Sequence, residues 1–160
     1  MRYALTAQPE ETDFPHELCF GSYDRRCVHR DGEPYLCVRI PEKDLWVDED
    51  ALVWGDWLLI GTTQTVYCIR LEDLEVREIQ VDGYFKTFLA MNRRVFFFEA
   101  TGMTALDEDC HILWQNHGLA VDGCLFSGMC GNTTMVVYCE MDPPGGWIHR
   151  TIDLRNGELL

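Results

Sequence analysis

The sequence predicts an all-β fold assembled from about four repeated units, and three observations carry that prediction. Val, Ile, Thr, Tyr, Phe and Trp fill short runs that Gly, Asn, Asp and Pro separate, as expected of strands joined by turns. No stretch keeps a helical period beyond two turns, whereas many short strands suit a sandwich, a barrel or a propeller. Related segments also recur at intervals close to the length of one four-stranded sheet.

The repeats are visible without gaps. The segment from Cys27 to Ile40 overlays Leu58 to Leu71, 31 positions later, so that Cys37-Val38-Arg39-Ile40 falls on Cys68-Ile69-Arg70-Leu71. A further shift of 37 brings in Val95-Phe96-Phe97-Phe98 and the strand that ends Ala105-Leu106-Asp107. A fourth copy runs from Thr134-Met135-Val136-Val137-Tyr138 to Thr151-Ile152-Asp153-Leu154, with a longer hairpin at Asp142-Pro143-Pro144-Gly145-Gly146. Val81-Asp82-Gly83 returns as Val121-Asp122-Gly123 and marks unit boundaries. Residues 1–160 therefore read as a single domain with units near 16–50, 51–83, 84–122 and 123–160. Each unit is the size of one propeller blade. The expected architecture is a small β-propeller-like array of about four blades, closed or open, with a twisted β-sandwich as the alternative. Residues 1–15 are a tail and a candidate closing strand. Pairing of Arg2-Tyr3-Ala4-Leu5 with the last unit would close the ring and hide a sheet edge.

The third and fourth units carry a resemblance. Val95-Phe96-Phe97-Phe98, Gly102-Met103-Thr104-Ala105-Leu106-Asp107 and Ile112-Leu113-Trp114 resemble a repeat of the quinoprotein-like (PQQ-repeat) propellers, and Thr151 to Leu160 is similar to the second half of such a repeat. The resemblance implies a propeller. Arg70 stands where the family's Asp would be, and no quinone-binding or catalytic residue of that family carries over, so no cofactor is expected.

Charge narrows the partners. Thirteen Lys and Arg against twenty-seven Asp and Glu leave a formal charge of −14. Such a field repels phosphate backbones and anionic bilayers, which argues against nucleic-acid and membrane partners. It favours a basic protein, or serves solubility alone. No run approaches the length of a membrane helix, and no apolar stretch of signal-peptide length follows Met1-Arg2-Tyr3. A cytoplasmic location is the expectation. Eight cysteines are present, and most sit in apolar runs such as Tyr67-Cys68-Ile69, where a reducing compartment would leave them as small buried hydrophobes.

Chemistry-bearing motifs are sparse. Gly-x-Ser-x-Gly is absent, and Ser22 and Ser127 are the only serines. Cys110 and His111 are neighbours on an expected strand, where they would point to opposite faces. Cys110, His111, His117, Cys124 and Cys130 lack the paired spacings of a zinc site. The clusters Asp48-Glu49-Asp50 and Asp107-Glu108-Asp109 lack the alternating ligands of a calcium loop. No phosphate-binding glycine loop occurs. No catalytic residue and no metal site is assigned.

Aromatics among acids are the remaining signal, since such surfaces suit a basic protein partner. The candidate partner-binding residues are Asp44, Trp46, Asp48, Glu49, Asp50, Trp54, Asp56, Trp57, Asp107, Glu108 and Asp109. At least three of the five tryptophans are expected in the core. The expected function is non-catalytic protein binding, most concretely an acidic inhibitor such as an immunity protein neutralising a basic toxin domain. Two alternatives stand beside it: a scaffolding propeller that docks peptides in a larger assembly, and an enzyme with a motif-less active site at the propeller mouth.

Overall fold

The computed structural model describes residues 2–6, 12–41 and 50–160. Among them there are fifteen strands and no helix. The strands form four small sheets.

The first sheet combines β1 (Tyr3–Thr6), β2 (His16–Cys19), β3 (Asp24–Arg30) and β4 (Glu33–Ile40) in the order β1-β3-β4-β2, with β2 parallel to β4. The second is a meander of β5 (Ala51–Trp54), β6 (Trp57–Gly61), β7 (Thr65–Arg70) and β8 (Val76–Gln80). The third repeats it with β9 (Phe85–Met91), β10 (Arg94–Glu99), β11 (Met103–Leu106) and β12 (Ile112–Asn116). The fourth holds β13 (Cys124–Met129), β14 (Thr134–Glu140) and β15 (Trp147–Asp153), and an isolated bridge joins Ile152 to Leu159. Every pair except β2–β4 is antiparallel. Four sheets stand where a sandwich would have two, and none closes into a barrel.

Alternation explains how the sheets stack. Side chains along a strand point to opposite faces, so a strand covered on both sides must be apolar throughout. In β6, Trp57 and Leu59 pack toward the third sheet, whereas Leu58 and Ile60 pack toward the first. In β10, Val95 and Phe97 face the second sheet, and Phe96 and Phe98 face the fourth. The three hydrophobic clusters thus join the first sheet to the second, the second to the third, and the third to the fourth.

Hydrogen bonds fasten each joint at a turn carbonyl. The Tyr35 hydroxyl donates to the carbonyl of Leu71. Arg77 Nη1 donates to the carbonyl of Asp109 at 2.7 Å. Trp114 Nε1 donates to the carbonyl of Leu154 at 3.0 Å. Two-residue hairpins shape the ends: Asp31-Gly32 and Asn92-Arg93 take positive φ at both positions, the geometry that matches the twist of the flanking strands.

Two expectations are corrected. The N-terminal strand does not pair with the last unit. Tyr3↔Arg30 through Thr6↔Cys27 place it beside β3 in its own sheet, because Tyr3 and Leu5 complete the same core as Val28 and Tyr35. Cys110 and His111 do not share a strand. The Asp107 carboxylate accepts hydrogen bonds from the backbone N–H groups of Asp109 and His111, and the resulting turn sets Cys110 at φ 56. Of the four described tryptophans, Trp57 and Trp114 are buried, and Trp54 and Trp147 are half-buried.

Candidate functional site

Three hairpins from two adjacent sheets meet at one cleft. The β5–β6 turn supplies Trp54, Gly55, Asp56 and Trp57; the β9–β10 turn supplies Arg93; the β11–β12 turn supplies Glu108 and Asp109. Together they line a hollow of about 350 Å³. The meeting follows from topology, since successive hairpins of a meander alternate between the two ends of a sheet. The stacked second and third sheets therefore present these turns at a shared end.

Trp57 is the wall of the cleft rather than a free anchor. It is buried, and the Arg77 guanidinium lies 4.9 Å from its ring centroid. Arg77 also holds the Asp109 carbonyl and pairs with Glu75 at 3.2 Å. One arginine thus fixes the indole and the third-sheet turn together. Trp54, half-buried on the rim, packs against the same core cluster as Trp57. Gly55 has φ 58, which suits the first central position of a two-residue hairpin.

The carboxylates differ in their engagement. Glu108 pairs with Arg93 at 2.7 Å, with both side chains largely exposed. Asp56 and Asp109 are exposed, and among the described residues no cation pairs with either carboxylate. Asp107 is spent on its turn. Asp50 points inward: it is 8% exposed, and its carboxylate accepts from Arg26 Nε at 2.9 Å while Asp24 takes Arg26 Nη1 at 2.7 Å. The Asp50 hydrogen bond holds the Arg26 guanidinium above its ordinary value. Asp44, Trp46, Asp48 and Glu49 lie outside the described residues. The structure therefore gathers Trp54, Asp56, Trp57, Glu108 and Asp109 into one place, and sets Asp50 and Asp107 apart as structural groups.

Sequence reasoning missed Arg93 and Arg77. Arg93 follows Asn92 between two apolar runs, a turn signal that could have placed it at a hairpin tip. It also missed Glu99, which has no solvent exposure. The backbone N–H of Asp82 donates to Glu99 Oε2 at 2.6 Å and the Thr104 hydroxyl to Oε1 at 2.8 Å. His117 Nε2 lies 3.6 Å from Oε1. Burial pushes the Glu99 carboxyl up, and these partners offset part of that push. The charged end of Phe96-Phe97-Phe98-Glu99, a buried apolar run, was the signal available.

A second hollow of about 660 Å³ lies at the start of the fourth sheet, lined by Trp147, Pro143, Pro144, Leu125, Tyr84 and Lys86 among others. It is larger and more apolar than the first. Among the described residues no group of three or more His, Cys, Asp and Glu is placed to hold a metal ion. No helix of the described residues is long and apolar enough to cross a membrane.

No protein-family model matches the sequence, and no curated protein matches it. Among solved structures, the chain is similar to the crystal structure of the computationally designed Ika4 protein. The two share 11% identity, the match covers 75% of this chain and 72% of that one, and the TM-score is 0.51. At that identity the likeness is one of fold: an all-β chain of repeated small sheets.

Proposed function

We propose that this protein is a non-catalytic binding module that neutralises a basic protein, in the manner of an immunity protein occluding a toxin domain, on a propeller-like array of four blades that stays open. The carrying observation is the convergence of Trp54, Asp56, Trp57, Glu108 and Asp109 from two sheets on one cleft. The formal charge of −14 would steer a cationic surface toward it and speed encounter. The Asp56 and Asp109 carboxylates would then meet Lys or Arg side chains, and Trp54 would supply the apolar contact. The Arg93–Glu108 pair is exposed, so opening it costs about 1 kcal/mol or less, and Glu108 can exchange Arg93 for a cation of the partner. The proposed setting is the cytoplasm, and no cofactor enters the reading. The quinoprotein-like character of the third and fourth units belongs to the same proposal as the blade architecture.

The test is capture from the native organism on immobilised protein at low salt, followed by a salt gradient. One basic protein released at moderate salt, and lost with Asp56→Asn/Asp109→Asn, supports the reading. Capture that ignores both salt and these substitutions defeats it. The second hollow favours a competing reading, because Trp147 beside Pro143 and Pro144 suits a scaffold that docks apolar peptides. That scaffold would show salt-resistant capture abolished by Trp147→Ala.

A further inference from the structure

Six of the eight cysteines meet one another in three pairs. Cys27 and Cys37 are in-register partners on β3 and β4, with Sγ atoms 3.7 Å apart. Cys124 and Cys139 are in-register partners on β13 and β14, with Sγ atoms 3.9 Å apart. Cys110, at the β11–β12 turn, packs with Cys68 of β7 in the buried cluster that joins the second and third sheets. All six are buried thiols, whereas Cys19 and Cys130 are exposed. A cysteine serving only as a small apolar filler has no reason to meet another. Here the meeting occurs within the first sheet, between the middle two and within the fourth.

The geometry points to three disulfide-forming sites, Cys27–Cys37, Cys68–Cys110 and Cys124–Cys139, that turn the protein from a dithiol form into a cross-linked form. Directly opposed residues of an antiparallel pair have Cα atoms about 4.5–5.5 Å apart. That lies inside the span of about 4.4–6.8 Å that a disulfide bridges without backbone movement, so rotation about χ1 is enough at Cys27–Cys37 and Cys124–Cys139. Cys124 also lines the apolar hollow beside Trp147, which gives an oxidant a route to the buried pair. Within that pair, a hydrogen bond from the Cys124 thiol pulls Cys139 down while Cys124 is pushed up. This favours thiolate, the nucleophile in disulfide exchange, on Cys139. The oxidant is a low-molecular-weight disulfide. Its S–S bond breaks, one S–S bond forms in the protein, and the two thiol protons leave on the two thiols released. Cys68–Cys110 closes the longest loop and ties two sheets, so its bond restricts the unfolded chain most.

The experiment equilibrates the reduced full-length chain with oxidised glutathione, blocks remaining thiols with iodoacetamide before unfolding, and maps the cross-links by peptide mass spectrometry. The expected result is a loss of two hydrogens per pair, three internal links with this connectivity, blocked or glutathionylated Cys19 and Cys130, and a higher Tm than the reduced protein. The proposal is overturned if Cys19 and Cys130 react while the six buried thiols stay reduced, or if the links are scrambled or run between molecules. Cys68→Ala, checked for folding by circular dichroism, should leave Cys110 unlinked while the other two bonds still form. Loss of those two bonds in a folded variant would equally count against independent sites. Should that variant not fold, the wild-type link map decides alone.

Discussion

The indole of Trp114 reaches across the joint between the third and fourth sheets to donate to the carbonyl of Leu154, and Gly157 lies directly beneath its ring. Gly157 has φ 76, and a Cβ built there would run into the Trp114 ring. Both residues are therefore fixed by one contact. Trp114→Phe keeps most of the apolar area but loses the hydrogen bond, and should cost about 1–2 kcal/mol in urea denaturation. Gly157→Ala combines a strained backbone with a clash and should cost at least as much. The double variant should cost less than the sum, because Phe leaves room for the methyl group.

Arg26 predicts a second large effect. Its guanidinium, 17% exposed, is clasped between Asp50 and Asp24, where the first sheet meets the strand that opens the second. Removing the inner carboxylate in Asp50→Ala leaves a poorly solvated cation with one partner. The expected loss is about 2 kcal/mol. Arg26→Met should cost at least as much as Asp50→Ala, since it removes the guanidinium that serves both the buried Asp50 carboxylate and Asp24. Chemical denaturation of the two variants side by side checks the order.

Glu99 sets a pH dependence of identifiable sign. Burial raises its folded pKa above the ordinary glutamate value, so the folded state favours the neutral acid. That contribution is fully present below the unfolded pKa and is lost as pH rises through the folded value. Glu99→Gln can keep the oxygen toward the Asp82 N–H and turn its amide to Thr104. The difference in urea midpoint, variant minus wild type, should therefore grow in the variant's favour as pH rises from about 4.5 toward 7. A difference that stays constant would show that Glu99 does not change charge there. Asp153 acts in the opposite sense. The Arg155 side chain holds it down at about 2, so its contribution is present above the ordinary carboxylate range and lost only as pH falls toward 2.

The cleft carboxylates should separate binding from folding. Asp56→Asn and Asp109→Asn touch exposed carboxylates that pair with no cation among the described residues, and each should leave stability within about 0.5 kcal/mol of wild type. Arg77→Ala should behave differently, because Arg77 packs on Trp57 and holds the Asp109 carbonyl. It should lower Tm and shift the tryptophan emission, which the two Asn variants should not do.

Much of this architecture was readable in the residues. Trp57-Leu58-Leu59-Ile60 and Val95-Phe96-Phe97-Phe98 read as strands because apolar side chains on both faces need cover on both faces. Their repetition exposed the recurring sheet. The first sheet was harder. Whether Tyr3-Ala4-Leu5-Thr6 pairs with β3 or with a distant strand is a tertiary choice, and a four-residue alternation fits either. The turn at Asp107 was misread because a side chain accepting from two backbone N–H groups cannot be seen in a spacing. The candidate site was legible in its parts, as Trp54, Asp56 and Trp57 on one hairpin and Glu108 and Asp109 on another. Their union was not legible, since it depends on which ends of two sheets lie together. Asp50 illustrates the converse: the same residue type in an acidic run is turned inward by one arginine.

The serial joining of the sheets has a consequence for how the molecule breathes. Among the described residues the hydrophobic clusters join each sheet to its neighbours in sequence, so stability behaves as a row of couplings rather than one indivisible core. The outermost members are held by one coupling each and the two inner ones by two. Amide protons of β6 and β10 should exchange slowest, and those of β2 and β15 orders of magnitude faster, through openings that leave the middle intact. The cleft at Trp54 and Asp109 spans the central coupling. A partner gripping it would hold the least yielding seam of the chain while the two ends go on fraying.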